Sequence, residues 1–405
     1  MSTSLLYHAW GISGYEYVHT RYETKKIIFK VVQSSQLRCP CCRHRKVKKK
    51  GTTTRQFKAV PIGFQKAVFI ELDVQRIECL KCGVIRQVKV IFAKPKRRFT
   101  RAFERCVLEL SRHMTISAVS QLLRTSWDTI KEIQKQYLKR RYKAPKLGSL
   151  TRIAIDEIHL GKKTGYLTVV LDLKTGVIVE VANGKSSESL VPFWKRLKRS
   201  GAKIEVVATD MSKAFIKAVS ENLPEAQYVF DHFHIIKLFN DKLSKLRRAV
   251  SNEASELEKS VLKGTRWLLL KVAKNLSVEK EEHLRLQAAL KMNEPLMKAY
   301  YMKEDLRQIW LQEDKESAAF VLDEWIKKAA VSGVRMLCQF AKTLAMFRLR
   351  ILTYYDFDGI STGPLEGANN KIKTLQKMAY GFRDLEFLKL KIKSMHESKN
   401  VATIS

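Results

Sequence analysis

The chain is 405 residues long, which is enough for two or three domains with cores of their own. It carries 76 lysines and arginines against 40 aspartates and glutamates, and this net charge of +36, spread over the whole length, indicates an extended polyanionic partner. Charge alone leaves open a ribosome-associated protein or a merely solubilising surface. No run approaches the roughly 18 apolar residues of a membrane span, and the N-terminus lacks a secretory signal, so we expect a cytoplasmic protein with no membrane partner.

Residues 1–93 are predicted to form an N-terminal β element followed by a zinc ribbon. Two Cys-x-x-Cys pairs supply the four thiolates that tetrahedral zinc requires, and the segments between them have strand-like patterns. The four residues are Cys39, Cys42, Cys79 and Cys82. Cys41 and His44 are spare potential ligands, and reduced thiols without a metal are the alternative. The spacing therefore predicts a structural Zn²⁺ site in a reducing compartment.

Residues 94–142 are predicted to form a basic linker and a helix-turn-helix DNA-binding domain. In the linker, KPKRRFTR, the side chains of Arg97 and Arg98 could follow a phosphate backbone, although a solvated connector fits equally well. Three short helical patterns follow, with Thr125 as the predicted N-cap of the third. In DNA-binding domains of this kind the last helix enters the major groove.

On that third helix, three side chains are expected to be exposed and to contact DNA. They are Lys131, Gln134 and Lys135. Trp127, near the start of the helix, is expected in the core, because large aromatic side chains are mostly buried. The helical pattern alone has moderate specificity, since any three-helix unit looks similar.

Residues 150–236 are predicted to form the first part of a ribonuclease-H-like α/β catalytic core. In the stretch TRIAIDEIHL, Ile153 and Ile155 alternate with Ala154 and Asp156, which is the period of a strand. A carboxylate inside a buried strand is costly unless a cation lies beside it. The sequence therefore marks Asp156 as a candidate metal ligand.

Two later apolar strands also lead into acidic residues. IEVVATD ends on Asp210, and QYVF runs into Asp231 and His234. A hairpin and one helix are predicted between the strand of Asp156 and the strand that ends on Asp210, and a second helix is predicted before QYVF. Three antiparallel strands followed by helix, strand, helix and strand is the order expected of a ribonuclease-H-like sheet.

Residues 237–357 carry helical periodicity almost throughout, which predicts an all-α insertion into the catalytic core. Its three tryptophans are expected in the core of the insertion, with stacking of one of them on a nucleobase as the alternative. They are Trp267, Trp310 and Trp325. Residues 358–398 are predicted to complete the catalytic core with helices that carry Glu366, and Asn370 and Lys373 share its helix face and suit DNA phosphate.

Three acidic residues far apart in the chain are predicted to converge on Mg²⁺ or Mn²⁺ for phosphodiester chemistry on DNA. Splitting a phosphodiester requires cations that absorb charge on the attacking and leaving oxygens, and carboxylates bind hard divalent ions. Asp156, Asp210 and Glu366 are the predicted ligands, and His234 could steady the phosphate or donate a proton. Taken singly, each acid has a structural alternative, as a strand end, a turn or helix cap, and a first-turn carboxylate.

Four stretches carry a resemblance to a known family: TRIAIDEIHL, VVATDMSKAF, YVFDHFHIIKLFNDKLSKLRR and STGPLEGANNKIKTLQKMAYGFR. With the cysteine module and the helix-turn-helix, they resemble the ISL-three family of bacterial insertion-sequence transposases over nearly the whole chain. The resemblance implies a DDE recombinase that binds terminal inverted repeats and moves its element with Mg²⁺. The acidic positions of the family match Asp156, Asp210 and Glu366, and its Asp-x-x-His signature matches Asp231 and His234.

The predicted protein is thus a multidomain α+β transposase that binds double-stranded DNA as a homodimer or larger assembly, associated with the bacterial nucleoid. Two alternatives remain open at this point. One is a structure-specific nuclease on the same sheet, which would cleave strands without joining them. The other is a DNA-binding regulator that uses only the first 140 residues.

Overall fold

The computed structural model describes residues 4–63, 66–161, 165–357 and 362–395. The chain forms two compact units, residues 1–143 and 144–405. Positions 358–361 and 396–398 of the predicted C-terminal segment lie outside the described residues. Within the described ranges, no helix has both the length and the apolar content that crossing a bilayer would require.

The first unit is built on a five-stranded sheet. Its elements are helix α1 (Leu5–Trp10) and strands β1 (Tyr15–Tyr22), β2 (Lys26–Gln33), β3 (Val47–Ala59), β4 (Ala67–Cys79) and β5 (Ile85–Gln87). The strand order is β1-β2-β4-β3, with β5 also paired to β4. The predicted N-terminal β element is therefore part of the same sheet as the cysteine-bearing strands, since β2 runs parallel to β4.

The three helices predicted after the basic linker are present as α2 (Arg101–His113), α3 (Ile116–Leu122) and α4 (Trp127–Tyr142). Each begins at a hydroxyl N-cap whose side chain accepts a backbone N–H, as expected for such caps. For α4 the cap is Ser126, so the prediction of Thr125 is wrong by one position. The Thr125 hydroxyl instead accepts a hydrogen bond from Lys58 Nζ at 2.7 Å and donates one to the Leu123 carbonyl.

The second unit contains a mixed five-stranded sheet. Its strands are β6 (Arg152–His159), β7 (Tyr166–Asp172), β8 (Ile178–Asn183), β9 (Val206–Thr209) and β10 (Gln227–Phe230). The order is β10-β9-β6-β7-β8, in which β6, β7 and β8 are antiparallel and β9 and β10 run parallel to β6. The predicted order of three antiparallel strands followed by helix, strand, helix and strand is what the structure contains.

Helices cover both faces of this sheet. On one face lie α5 (Val191–Ser200) and α6 (Lys213–Asn222), and on the other lie α14 (Gly363–Met378) and α15 (Leu385–Lys393). The alternation along β6 determines which residues meet which layer: Ile153 and Ile155 pack in the first core, and Ala154 and Ile158 pack in the second. Asp156 therefore points to the side covered by α14.

Between β10 and α14, the elements of the described chain are all helical. They are α7 (His232–Glu253), α8 (Glu256–Leu262), α9 (Thr265–Leu270), α10 (Glu282–Lys291), α11 (Glu294–Gln308), α12 (Lys315–Ala330) and α13 (Arg335–Leu352), with short 3-10 turns. The predicted boundary at residue 237 falls inside α7, which is continuous from the end of the sheet. Phe239, Trp325 and Phe340 of this region share one hydrophobic core with the α5/α6 face of the sheet.

Two tryptophans differ from expectation. Trp325 is buried as predicted, but Trp267 is 65% exposed and Trp127 of the first unit is 46% exposed, so their predicted core placement is wrong. Each ring has a cation beside it instead: Arg266 lies 4.9 Å from the Trp267 ring, and Lys131 lies 5.5 Å from that of Trp127. Such contacts stabilise an exposed indole without burying it. Trp310 is partly buried against the core.

Candidate active site and cysteine cluster

Three aspartates come directly after the last paired residues of the neighbouring parallel strands β6, β9 and β10. Ile155 of β6 is in register with Thr209 of β9, and Thr209 is in register with Phe230 of β10. The next residues along the three strands are Asp156, Asp210 and Asp231. Because adjacent strands are about 4.8 Å apart, this register brings the carboxylates to one edge of the sheet. Ligands of open α/β sheets bind at this carboxyl edge.

The Asp156 carboxylate is held by two hydrogen bonds. Its Oδ1 accepts the Glu157 backbone N–H at 2.8 Å, and its Oδ2 accepts Asn369 Nδ2 of α14 at 2.8 Å. Burial raises the pKa of Asp156, and the charge of Asp210 raises it further, whereas His234 and the two hydrogen bonds act in the opposite direction. The ionised form of Asp156 is therefore less favourable at this position than in a fully solvated aspartate.

Negative charge at this edge has little compensation from the chain. Within the described residues, no lysine or arginine forms an ion pair with Asp156 or Asp210, although the protein as a whole is strongly basic. Burial and the charge of Asp210 also raise the pKa of Glu157, which only Lys185 offsets. Closely placed carboxylates that have no lysine or arginine partner are the donor set that a hard divalent cation prefers. The chemistry of this edge therefore fits a bound Mg²⁺ or Mn²⁺.

Asp231 is the centre of a buried hydrogen-bond network beside these carboxylates. It caps α7 by accepting the Phe233 N–H at 3.2 Å, and its Oδ2 accepts hydrogen bonds from His234 Nδ1 at 3.1 Å and from the Thr362 hydroxyl. Although burial opposes its ionisation, these hydrogen bonds lower the pKa of Asp231. The same bond raises the pKa of His234, with further contributions from Asp156 and Asp210. The network therefore favours an imidazolium next to the acidic edge.

Glu366 does not form one tight metal-binding cluster with Asp156 and Asp210. It is exposed in the first turn of α14, three residues before Asn369, and residues at that spacing are neighbours on a helix surface. Within the described chain, the only group of three or more His, Cys, Asp or Glu side chains with ligand atoms all within 4.8 Å is the cysteine cluster. The structure thus brings Asp156 and Asp210 together and places Glu366 one helical turn from the residue that binds Asp156.

Asn370 and Lys373 are exposed on α14, so both are accessible to a polyanion.

The four cysteines of the predicted zinc site form a compact cluster in the first unit. Cys39 Sγ lies 3.6 Å from Cys82 Sγ, and Cys42 Sγ lies 3.5 Å from Cys79 Sγ. Tetrahedral zinc thiolates are separated by about 3.8 Å, given Zn–S bonds of about 2.3 Å. The Cys42 N–H lowers the pKa of Cys39 to about 6, and the Cys82 N–H lowers that of Cys79. The cluster therefore has the donors and spacing for zinc.

The two spare ligands take no part in the cluster. Cys41 is exposed, and His44 Nδ1 accepts the Lys46 N–H at 3.2 Å.

The predicted DNA-contact residues of the first unit differ in accessibility. Arg98 is exposed, while Arg97, Lys131 and Lys135 are half-buried. Gln134 is only 2% exposed, and its Nε2 donates to the Ser111 hydroxyl of α2 at 2.8 Å. The prediction of an exposed Gln134 is wrong, because that position faces the helix packed against α4. It is not a candidate for DNA contact.

Two residues of the site were missed by sequence reasoning. The sequence pattern predicts Asn370 rather than its neighbour Asn369 as a functional residue, and it does not predict Thr362. The available signal was helical spacing: Leu365, Ala368 and Ile372 form the buried face of α14, and Asn369 lies between them. A polar residue on a buried helix face requires a partner, and here that partner is Asp156.

Known proteins match both parts of the chain. A helix-turn-helix domain of transposase family ISL3 matches residues 88–138, and a transposase domain of the same family matches residues 153–392. The transposase for insertion sequence element IS1001 of Bordetella parapertussis is 27% identical over 394 residues, covering 96% of this chain and 95% of the relative. The transposase for IS1557 of Mycobacterium tuberculosis is 28% identical over 364 residues, covering 84% and 81%.

Among solved structures, the Drosophila P element transposase strand transfer complex aligns over 74% of this chain and 92% of that chain, with 9% identity and a TM-score of 0.36. That similarity is too low to establish a common fold. The family matches are decisive by themselves, because the transposase domain spans more than half of the chain and includes the acidic edge of the sheet. This chain belongs to the ISL3 family of insertion-sequence transposases.

Proposed function

We propose that this transposase cuts and joins DNA strands at the ends of its insertion sequence through a DDE site made of Asp156, Asp210 and Glu366. The observation that carries the proposal is the in-register placement of Asp156 and Asp210, with the Asn369 hydrogen bond tying the Glu366 helix to Asp156. The strand order β10-β9-β6-β7-β8 supports a ribonuclease-H-like classification of the sheet. In that classification the helices between β10 and α14 are an insertion.

Asp156, Asp210 and Glu366 would hold the divalent ions, because carboxylates are the preferred ligands of Mg²⁺ and Mn²⁺. When bound, the ions activate the attacking water or 3′ hydroxyl and neutralise charge on the phosphate. The residues around the carboxylates hold them in position. Asn369 orients the Asp156 carboxylate from α14, and Thr362 fixes the start of the same helix to Asp231.

His234 would act on the phosphate side of the reaction. Its Nδ1 is bound to Asp231, which keeps the imidazole oriented and favours its protonated form. An imidazolium beside Asp156 and Asp210 can steady the scissile phosphate or give a proton to the leaving oxygen.

The first unit would recognise the terminal inverted repeats. Helix α4 would enter the major groove with Lys131 and Lys135, while Arg97 and Arg98 of the basic linker would contact the phosphate backbone. Zn²⁺ bound by the cysteine cluster would stabilise the sheet of this unit. In the second unit, Asn370 and Lys373 would contact the backbone near the cut. Because two element ends are processed together, the working form would be a dimer or larger on nucleoid DNA.

A strand-transfer assay tests the proposal directly. The full-length protein is incubated with Mg²⁺, a target plasmid and a pre-cut element end that carries a free 3′ hydroxyl. Joined product is expected with that end and not with the same end terminated by a dideoxynucleotide. Nicked plasmid without joined product would indicate a nuclease, and a shifted band without either product would indicate a DNA-binding regulator; each result would overturn the proposal.

Replacing Asn369 with alanine is expected to lower the cleavage rate and the apparent affinity for the divalent ion by about 10- to 100-fold, because partners that orient a metal ligand have effects of this size. The affinity for DNA should change little. Titration of cleavage with Mg²⁺ and Mn²⁺ gives both quantities.

The neighbouring Asn370→Ala variant provides the contrast, since Asn370 is exposed on the same helix. It should weaken DNA binding and leave the metal titration unchanged. An Asn369→Ala protein with a normal metal titration would exclude the positioning role.

A further inference from the structure

Aromatic side chains form a stack at the start of α7, directly beside the Asp231 network. The rings of Phe233 and His232 are 4.1 Å apart, centroid to centroid, and inclined by 34°. The His232 ring is in turn 5.8 Å from that of Trp310, inclined by 37°, and Tyr354 packs edge-on against it at 5.7 Å. Phe233 is the outer member of this stack.

The outer ring is accessible to solvent. Phe233 is 53% exposed, although it lies between Asp231 and His234 in the chain and therefore at the acidic edge of the sheet. Because half of the Phe233 ring is exposed, the ring contributes little to the hydrophobic core, and a flat face of it remains open to a ligand. The rings beneath it hold it in place, which makes it a pre-ordered flat surface.

Phe320 of α12 shows how an ordinary exposed phenylalanine of this unit differs. It is 69% exposed, and within the described residues its ring contacts no other aromatic ring. Phe233 has a comparable exposure, but its ring packs on that of His232, which in turn packs against Trp310 and Tyr354. The two positions therefore separate the effect of exposure from the effect of the stack.

A nucleobase is the ligand whose chemistry fits such a surface. Bases stack on aromatic side chains through their flat faces, whatever their identity, and replacing the aromatic residue by alanine changes affinity by about 5- to 150-fold per base. Proteins can extrude a single nucleotide from the stack at a cost of a few kcal/mol, as enzymes that act on a base do. A base next to the scissile phosphate would be the part of the substrate nearest to the residues flanking Phe233.

We infer that Phe233 is the exposed end of an aromatic stack that binds one unpaired nucleobase of the DNA beside the bond being cut. The inference rests on the proposed function, because it uses the acidic edge as the place of cleavage. The proposed active site would then bind a nucleobase as well as phosphate and metal.

The test uses full-length protein and element-end DNA in which the fluorescent base 2-aminopurine replaces one base at a time around the cut. Fluorescence is measured without added divalent ion, so that the result does not depend on cleavage. The native protein is expected to quench the fluorescence at one position, as is Phe233→Trp, which retains a stacking face. Phe233→Ala is expected to lose that quenching.

Phe320→Ala is the matched control, and it should quench as the native protein does. In Mg²⁺, Phe233→Ala should cut about 5- to 150-fold more slowly, and an abasic site at the quenched position should slow the native protein by the same factor but leave Phe233→Ala unaffected. Quenching that survives in Phe233→Ala, or that is absent at every position, overturns the inference.

The outcomes also separate this inference from the proposed function. Asp156→Asn retains the aromatic stack, so it should quench normally while failing to cut. A protein that quenches at one position but joins no strands would keep the base site and refute the transposase mechanism. A protein that joins strands without quenching at any position would support the transposase mechanism and refute the base site.

Discussion

Replacing Asp156 with asparagine is expected to lower strand cleavage by several orders of magnitude and, at the same time, to raise the thermal stability of the metal-free protein. The first effect follows from loss of a metal ligand. The second follows from burial and the nearby Asp210 charge, which raise the pKa of Asp156. A neutral amide of the same shape has no such penalty: its Oδ1 can still accept the Glu157 N–H, and its Nδ2 can donate to Asn369 Oδ1 once the Asn369 amide is turned over.

The rise in thermal stability that Asp156→Asn produces should depend on pH. A carboxyl group whose pKa is higher in the folded state binds its proton more tightly there, so it favours folding at low pH and disfavours it as the pH rises. The gain in melting temperature from Asp156→Asn should therefore be largest at neutral pH and shrink below the ordinary aspartate pKa of about 3.9. Scanning calorimetry at several pH values, without divalent ion, measures this difference.

With added Mg²⁺ or Mn²⁺, the native protein should have a higher melting temperature than the Asp156→Asn variant. The ion binds only the native state of the wild-type carboxylate site, so it should raise the melting temperature of the native protein more than that of the variant. Asp241→Asn, an exposed position on α7, is the control and should alter neither cleavage nor stability. Near-normal cleavage by Asp156→Asn would remove this residue from the catalytic site.

Loss of Cys79, one of the four proposed zinc ligands, is expected to unfold the cysteine-bearing part of the first unit and to abolish the proposed recognition of the element ends. Cys79 is the last residue of β4 and pairs with Val47 of β3, so its loss affects both long strands of the sheet. Structural zinc contributes roughly 10–16 kcal/mol in small zinc modules, which is as large as the whole unfolding free energy of a typical domain. Strong chelators should have the same effect as Cys79→Ser.

Cys41→Ser is the matched control, because Cys41 is exposed two residues from Cys39 but outside the cluster. Elemental analysis should find one zinc per chain in the native protein and in Cys41→Ser, and none in Cys79→Ser. Binding to element-end DNA and to unrelated DNA should be measured for all three. Full zinc content or retained end-specific binding in Cys79→Ser would contradict the zinc assignment.

Some features of the fold depend only on neighbours within one element, and these were predictable. The spacing of the two Cys-x-x-Cys pairs is confirmed by a cluster with all ligand atoms within 4.8 Å. The alternation in TRIAIDEIHL is confirmed by β6, in which Ile153 and Ile155 face one core and Ala154 faces the other. Local periodicity is sufficient here because side-chain direction along a strand repeats every two residues.

Other features depend on which face of an element is covered, and these predictions were wrong. Gln134 is buried because α2 supplies Ser111 as a partner, 23 residues away in the chain. Trp127 and Trp267 are exposed although their size favours burial. Helical spacing defines the faces of a helix but does not say which of them meets another helix.

From the amino-acid sequence alone follow the two cysteine pairs, the three helices of the DNA-binding region, the acidic strand and the family to which the chain belongs. Only the tertiary structure determines that β6 and β9 pair with Ile155 opposite Thr209, and that Asn369 reaches Asp156 across 213 positions of the chain. The physical reason is range. Periodicity and capping act between residues a few positions apart, whereas strand register and helix docking are selected by the packing of the whole core.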